Sequence, residues 1–156
     1  MTIYLVRHAK AGERGSWTEE DDWLRPLSVR GQRQARGLIE ALAKAKFDRV
    51  LSSPYVRCME TVVPIAGERG IAVEPVEALA EGATLDEALA LVRKHANHGA
   101  VLCTHGDVMP MPLEHYAGRG VDLGPAPQIS KGCTWILDSN SNGEVRSVEY
   151  VPPPPD

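Results

Sequence analysis

Apolar positions fall into short unbroken runs, separated by stretches with helical spacing. Residues 3–6, Ile-Tyr-Leu-Val, are apolar without interruption, the pattern of a strand buried on both faces. Ser28 suits a helix cap, and Ala35, Leu38, Ile39, Leu42 and Ala45 follow at helical intervals. Arg49–Leu51 reads as a short strand. It stops at Ser-Ser-Pro, where Ser53 suits an N-cap and Pro54 the first helical position. The helix from Pro54 carries Met59, Val62 and Val63 on one side, and Pro64 is expected to kink or end it. Residues 71–73 read as another extended piece. Thr84 and Glu87 have capping-box spacing, and Leu85, Ala88, Leu89 and Val92 give the next helix its stripe. Residues 100–103 form a strand, and 134–137 with 145–151 an antiparallel pair around Asn-Ser-Asn-Gly.

This alternation predicts a three-layer α/β/α domain with helices on both faces of one sheet. The 156 residues fit a single domain over 1–151, followed by a Pro-rich tail at 152–156 that is expected to be extended and solvated. Residues 11–27 read as a loop, with the acidic run Glu19–Asp22 as a solvated face. The net charge of −4 argues against a nucleic-acid duplex or an anionic membrane as a bulk partner. No apolar run is long enough to span a membrane, and Arg7 interrupts the first strand too early for a signal-peptide core. Cys58, Cys103 and Cys133 are odd in number and lack metal-ligand spacing, so a reduced, cytoplasmic protein is expected.

In open α/β sheets, ligands bind beyond the carboxyl ends of the strands. Three predicted strand ends carry chemistry there. The first ends in Arg7 and His8, the second leads to Arg57 in the first turn of a helix, and the third ends in His105. Guanidinium forks match phosphate oxygens, a histidine can accept a phosphoryl group, and a second can stabilise its oxygens. Each has a plainer reading: a structural strand-end histidine, a solvated arginine. His95 and His98 are read as dipole partners or solvated groups rather than metal ligands, and Asp107 as a cap. Lys10 and Lys131 are surface lysines unless the fold brings them to the cleft.

The segments LVRHAKAG, RPLSVRGQRQA, LSSPYVRCMET and VLCTHG, in that order, resemble the histidine phosphatase, or phosphoglycerate mutase-like, superfamily. The short length and RHAK resemble its small branch with the bacterial phosphohistidine phosphatases. DVMP and KGCTWIL are similar to the phosphatase half of Nudix–phosphatase fusion proteins. The resemblance implies a mixed, mostly parallel sheet with one antiparallel strand. It implies His8 as phospho-acceptor, with Arg7, Arg57 and His105 as the phosphate pocket, and neither metal nor organic cofactor. A general acid is expected at Glu81, with Glu77, Asp107 or no residue as alternatives.

The expected activity is metal-independent hydrolysis of a phosphomonoester through phosphorylated His8. The partner is a small phosphorylated molecule or a phosphorylated protein. The alternatives are a protein phosphohistidine phosphatase, a non-catalytic phosphate-binding module, and a metal hydrolase, whose cation the adjacent arginines would repel.

Overall fold

The run Ile3–Val6 is buried because both of its faces are covered. In the computed structural model, which describes residues 1–125 and 127–156, it forms strand β1 (Thr2–Arg7). Ile3 and Leu5 face one core with Trp135 and Leu137, while Tyr4 and Val6 face the other with Leu38, Phe47 and Val62. Side chains alternate across a strand, so a strand in a middle layer must be apolar at every position.

Five further strands join it: β2 (Arg49–Ser52), β3 (Val73–Pro75), β4 (Ala100–Thr104), β5 (Thr134–Ser139) and β6 (Val145–Val151). Their spatial order is β3-β2-β4-β1-β5-β6. The first four run parallel, β5 runs against β1, and β6 runs against β5. The sheet is therefore mixed and mostly parallel, with β5 alone reversed. Helices α1 (Val29–Ala41) and α2 (Val56–Arg69) contribute to one core, α3 (Leu85–His95) and α4 (Pro110–Gly118) to the other.

Several local expectations hold. Ser28 Oγ accepts from Gly31 N at 3.1 Å, and Thr84 and Glu87 form a complete capping box. At Gly31, α1 crosses the first loop so closely that an added Cβ would lie 1.9 Å from the Lys10 carbonyl oxygen.

Others do not. Helix α2 begins at Val56, with Tyr55 as its cap, two residues later than expected. Of the two effects expected of Pro64, ending the helix does not occur, since α2 continues to Arg69. Losing one internal N–H is tolerated while Val62, Ile65 and Ala66 bury the helix on either side of it. Val63 points outward. The tail is not wholly solvated. Pro154 is buried against Gly37 of α1, and Asp156 pairs with Lys10 and lies 3.8 Å from Arg30. His95 is buried, where desolvation lowers its pKa, so it is neither a solvated group nor a charged dipole partner. Among the described residues, no helix is long and apolar enough to cross a membrane.

Candidate active site

Strands β1, β2 and β4 are parallel neighbours, so their carboxyl ends deliver side chains to one edge of the sheet. Arg7 and His8 leave β1, Ser53 leaves β2, and His105 leaves β4. Arg57 follows in the first turn of α2. The four residues singled out in the sequence are thus brought together, all but Arg7 buried.

His8 is held in one orientation by the backbone of the residue that follows it. Its Nδ1 lies 2.8 Å from the Ala9 carbonyl oxygen, and its ring centroid 5.4 Å from that of His105. A carbonyl can only accept, so Nδ1 carries the proton and Nε2 keeps its lone pair. Burial lowers the His8 pKa to about 3; the Ala9 bond opposes this, while Arg57 and Arg7 add to it. Burial also lowers the His105 pKa to about 3, with help from His8, Arg57 and Arg7. Both rings are neutral at neutral pH. The dominant cause is desolvation rather than the charge of the arginines.

His105 is packed on every side. Its Nε2 shares a 2.8 Å hydrogen bond with Ser53 Oγ, Tyr55 stacks edge-on at 4.6 Å, and Cys58 Sγ lies 3.4 Å from Nε2. The Ser53 hydroxyl is shared between His105 and the turn that leads into α2. Its oxygen also accepts from Tyr55 N at 3.2 Å.

Arg7 donates through Nη1 to the Ile129 carbonyl, and Gly106 packs directly against its guanidinium. Arg57 has no exposed surface. It donates through Nη1 to the Asp22 carbonyl oxygen at 2.9 Å and through Nη2 to Glu81 Oε1 at 2.7 Å. Asp22 Oδ2 lies 3.1 Å from the same Nη2. Arg7 Nε and Arg57 Nε are buried and have no acceptor among the described residues. Two unsatisfied guanidinium N–H groups beside an unprotonated histidine nitrogen suit an oxyanion.

The candidate acids take different places, and Asp107 as well as Glu81 lies near the pocket, close enough to act on Arg7 and Tyr55. Glu81 reaches the cluster, with Oε1 3.6 Å from His105 Nδ1. Glu77 lies exposed in a 3₁₀ turn before it. Asp107 accepts from Gly82 N at 2.9 Å and is not the cap of α4, a place taken by Met109. Lys10 is drawn off to the tail by Asp156. Lys131 belongs to a turn whose Gly132 N donates to the Arg7 and His8 carbonyls, which sets it at the site's rim. Partial burial and the charge of Arg7 lower its pKa. Among the described residues, no three of His, Cys, Asp or Glu are grouped to hold a metal.

Sequence reasoning missed Asp22, Ser53, Tyr55 and Cys58 as neighbours of the pocket. The last three lie in the same motif as Arg57, which was the available signal. Asp22 lay in a run read as solvated, and its place depends on how the first loop folds back.

Comparison with known proteins gives the family and the fold. The chain is 31% identical over 160 residues to the 8-oxo-(d)GTP phosphatase of Mycolicibacterium smegmatis, covering 98% of this chain and 48% of that protein. It thus spans about half the length of that curated relative. Among solved structures, the protein histidine phosphatase SixA complexed with tungstate superposes with a TM-score of 0.70 at 16% identity, covering 99% of this chain and 97% of that one. The alpha-ribazole phosphatase from Shigella flexneri gives 0.71 at 16% identity, with 94% of each chain covered. At such identities these two establish the fold. The profile of the histidine phosphatase superfamily (branch 1) matches residues 3–87, over half of the sequence, and the chain belongs to that superfamily.

Proposed function

We propose that this chain is a metal-independent phosphatase that transfers a phosphoryl group to His8 and then to water. The observation that carries the reading is the state of His8. Its Nδ1 is tied to the Ala9 carbonyl at 2.8 Å, its other nitrogen is unprotonated, and nearby Arg7 and Arg57 each keep a buried N–H unpaired among the described residues.

The chemistry follows from those groups. His8 Nε2 forms a bond to phosphorus as the bond from phosphorus to the leaving oxygen breaks. Arg7, Arg57 and His105 hold the remaining three phosphoryl oxygens, where negative charge spreads in the transition state. Bound phosphate opposes the desolvation that keeps His105 neutral and favours its protonation. The leaving oxygen takes a proton from Glu81. Water then attacks phospho-His8, gives a proton to Glu81, and releases inorganic phosphate. The two arginines supply charge that a divalent cation provides elsewhere, so no metal is needed.

The substrate class we favour is a small phosphomonoester or nucleotide, in keeping with the name of the mycobacterial relative. A protein phosphohistidine is the second reading. It is favoured by the 2.7 Å pairing of Glu81 with Arg57, which occupies the proposed acid, and an imidazole leaves without one. Incubation with a panel of alkyl and aryl phosphates, nucleotides and phosphohistidine protein, with and without chelator, tests both. Release of phosphate unaffected by chelator is expected. No release from any compound would reduce the pocket to a binding module, and loss restored by added divalent metal would favour a metal hydrolase.

A further inference from the structure

We propose that Asp22 is the positioning residue for Arg57, setting the direction in which its guanidinium presents N–H groups to an oxyanion. The proposal rests on reading this pocket as a phosphoryl-transfer site. Asp22 grips both terminal nitrogens of Arg57, with its backbone carbonyl at 2.9 Å from Nη1 and its carboxylate at 3.1 Å from Nη2. A planar fork held at its terminal nitrogens cannot rotate. Nε, the donor Asp22 leaves alone, is the one that is buried without an acceptor.

The brace is itself anchored. Asp22 Oδ1 accepts from Arg25 Nε at 2.9 Å, and Arg25, almost wholly buried, donates through Nη1 to the Gly12 carbonyl at 2.8 Å. The same loop is pinned to the extension of β1 by Gly12 N donating to the Pro26 carbonyl at 3.0 Å. It is pinned to α2 by Leu27 N donating to Glu60 Oε1 at 2.9 Å. The segment carrying His8 and the helix carrying Arg57 therefore meet through Asp22. Burial opposes ionisation of its carboxyl, but Arg25 and Arg57 outweigh it and hold the pKa below the usual value. Glu81 differs. Its side chain is 35% exposed against 18% for Asp22, and its other basic neighbour, His105 at 3.6 Å, is neutral. Of the two carboxylates on Nη2, Glu81 is the exchangeable one and Asp22 the fixed one.

A double-mutant cycle tests this. Tungstate affinity and turnover of p-nitrophenyl phosphate are measured for the parent, Asp22→Asn, Arg57→Gln and the double variant, with thermal unfolding as a check on folding. Asp22→Asn should weaken tungstate binding and lower kcat by about tenfold each, the size of one lost charged hydrogen bond. Asp22→Glu should recover part of both. In the Arg57→Gln background Asp22→Asn should change neither, because there is no fork left to orient. Equal losses in both backgrounds would make Asp22 merely structural. Tighter tungstate binding in Asp22→Asn would make it a competitor for the substrate. Either result overturns the proposal. A parent that binds tungstate with the expected coupling but hydrolyses nothing would remove the phosphatase reading and leave the positioning role. A parent that turns over without coupling would do the reverse, and a parent that binds no tungstate would remove both.

Discussion

A single methyl group at Gly106 should disarm Arg7 without unfolding the chain. A Cβ built there lies 2.6 Å from Nη2, 2.7 Å from Cζ and 3.0 Å from Nε of Arg7. Non-bonded contact begins near 3.5 Å, so the guanidinium must retreat by about 0.9 Å. It is held on its other side by the Ile129 carbonyl, and retreat distorts that bond. Displacing a reacting or positioning group by about 1 Å costs about 10²-fold in rate. The backbone is not strained by the change, because Gly106 is not among the glycines with positive φ. The crowded atoms belong to the end of a flexible side chain, so the cost falls on geometry rather than on the core. Gly106→Ala should therefore lower kcat on p-nitrophenyl phosphate by about 10²-fold with a melting temperature close to that of the parent. A native rate would refute this account of Arg7. So would a loss of fold that accompanies the loss of rate.

Acid should weaken the fold before the carboxylates titrate. Folded His8 and His105 stay neutral down to about pH 3, and His95 shifts the same way, whereas unfolded histidine protonates near pH 6.5. The unfolded state then binds more protons, so His8 and His105 should each remove about 1.4 kcal/mol of stability per pH unit between about 6.5 and 3, and His95 adds in the same direction. Urea midpoints that stay constant between pH 6.5 and 4.5 would contradict this, and His8→Asn with His105→Asn should flatten the slope. Arg57→Ala should slow turnover by about 10³-fold or more, and Arg57→Lys should not fully restore it; a fully active lysine variant would place Arg57 outside the chemistry. Glu81→Gln should slow single-turnover phosphorylation by an alkyl phosphate by about 10²–10⁴-fold and by p-nitrophenyl phosphate much less. Equal slowing of both would leave Glu81 a shaping role, and slowing of neither would favour a phosphohistidine substrate.

The sheet was legible because its central strands have no solvent face. Apolar runs at 3–6 and 100–103 left no other reading, and the bases that follow them marked the end where a ligand binds. Helix α4 was not legible. Its first turn holds Pro110 and Pro112, which read as breakers although proline is harmless where the N–H has no intrahelical partner. The tail misled for a similar reason. Four prolines suggest a solvated strand of chain, but Pro154 fits over Gly37, a position where α1 offers no side chain. Asp22 was hidden because Arg57, its partner in the pocket, lies 35 residues further along the chain. An acidic run looks the same whether it meets water or two arginines.

The central claim is that His8 carries the phosphoryl group. It is tested most directly by quenching the enzyme during turnover of a phosphomonoester labelled with radioactive phosphate and mapping the label. The account predicts a stoichiometric phosphoenzyme, stable in alkali and labile in acid, with the label on the peptide containing His8 and absent from His8→Ala. Label on another residue, or native turnover by His8→Ala, would contradict it.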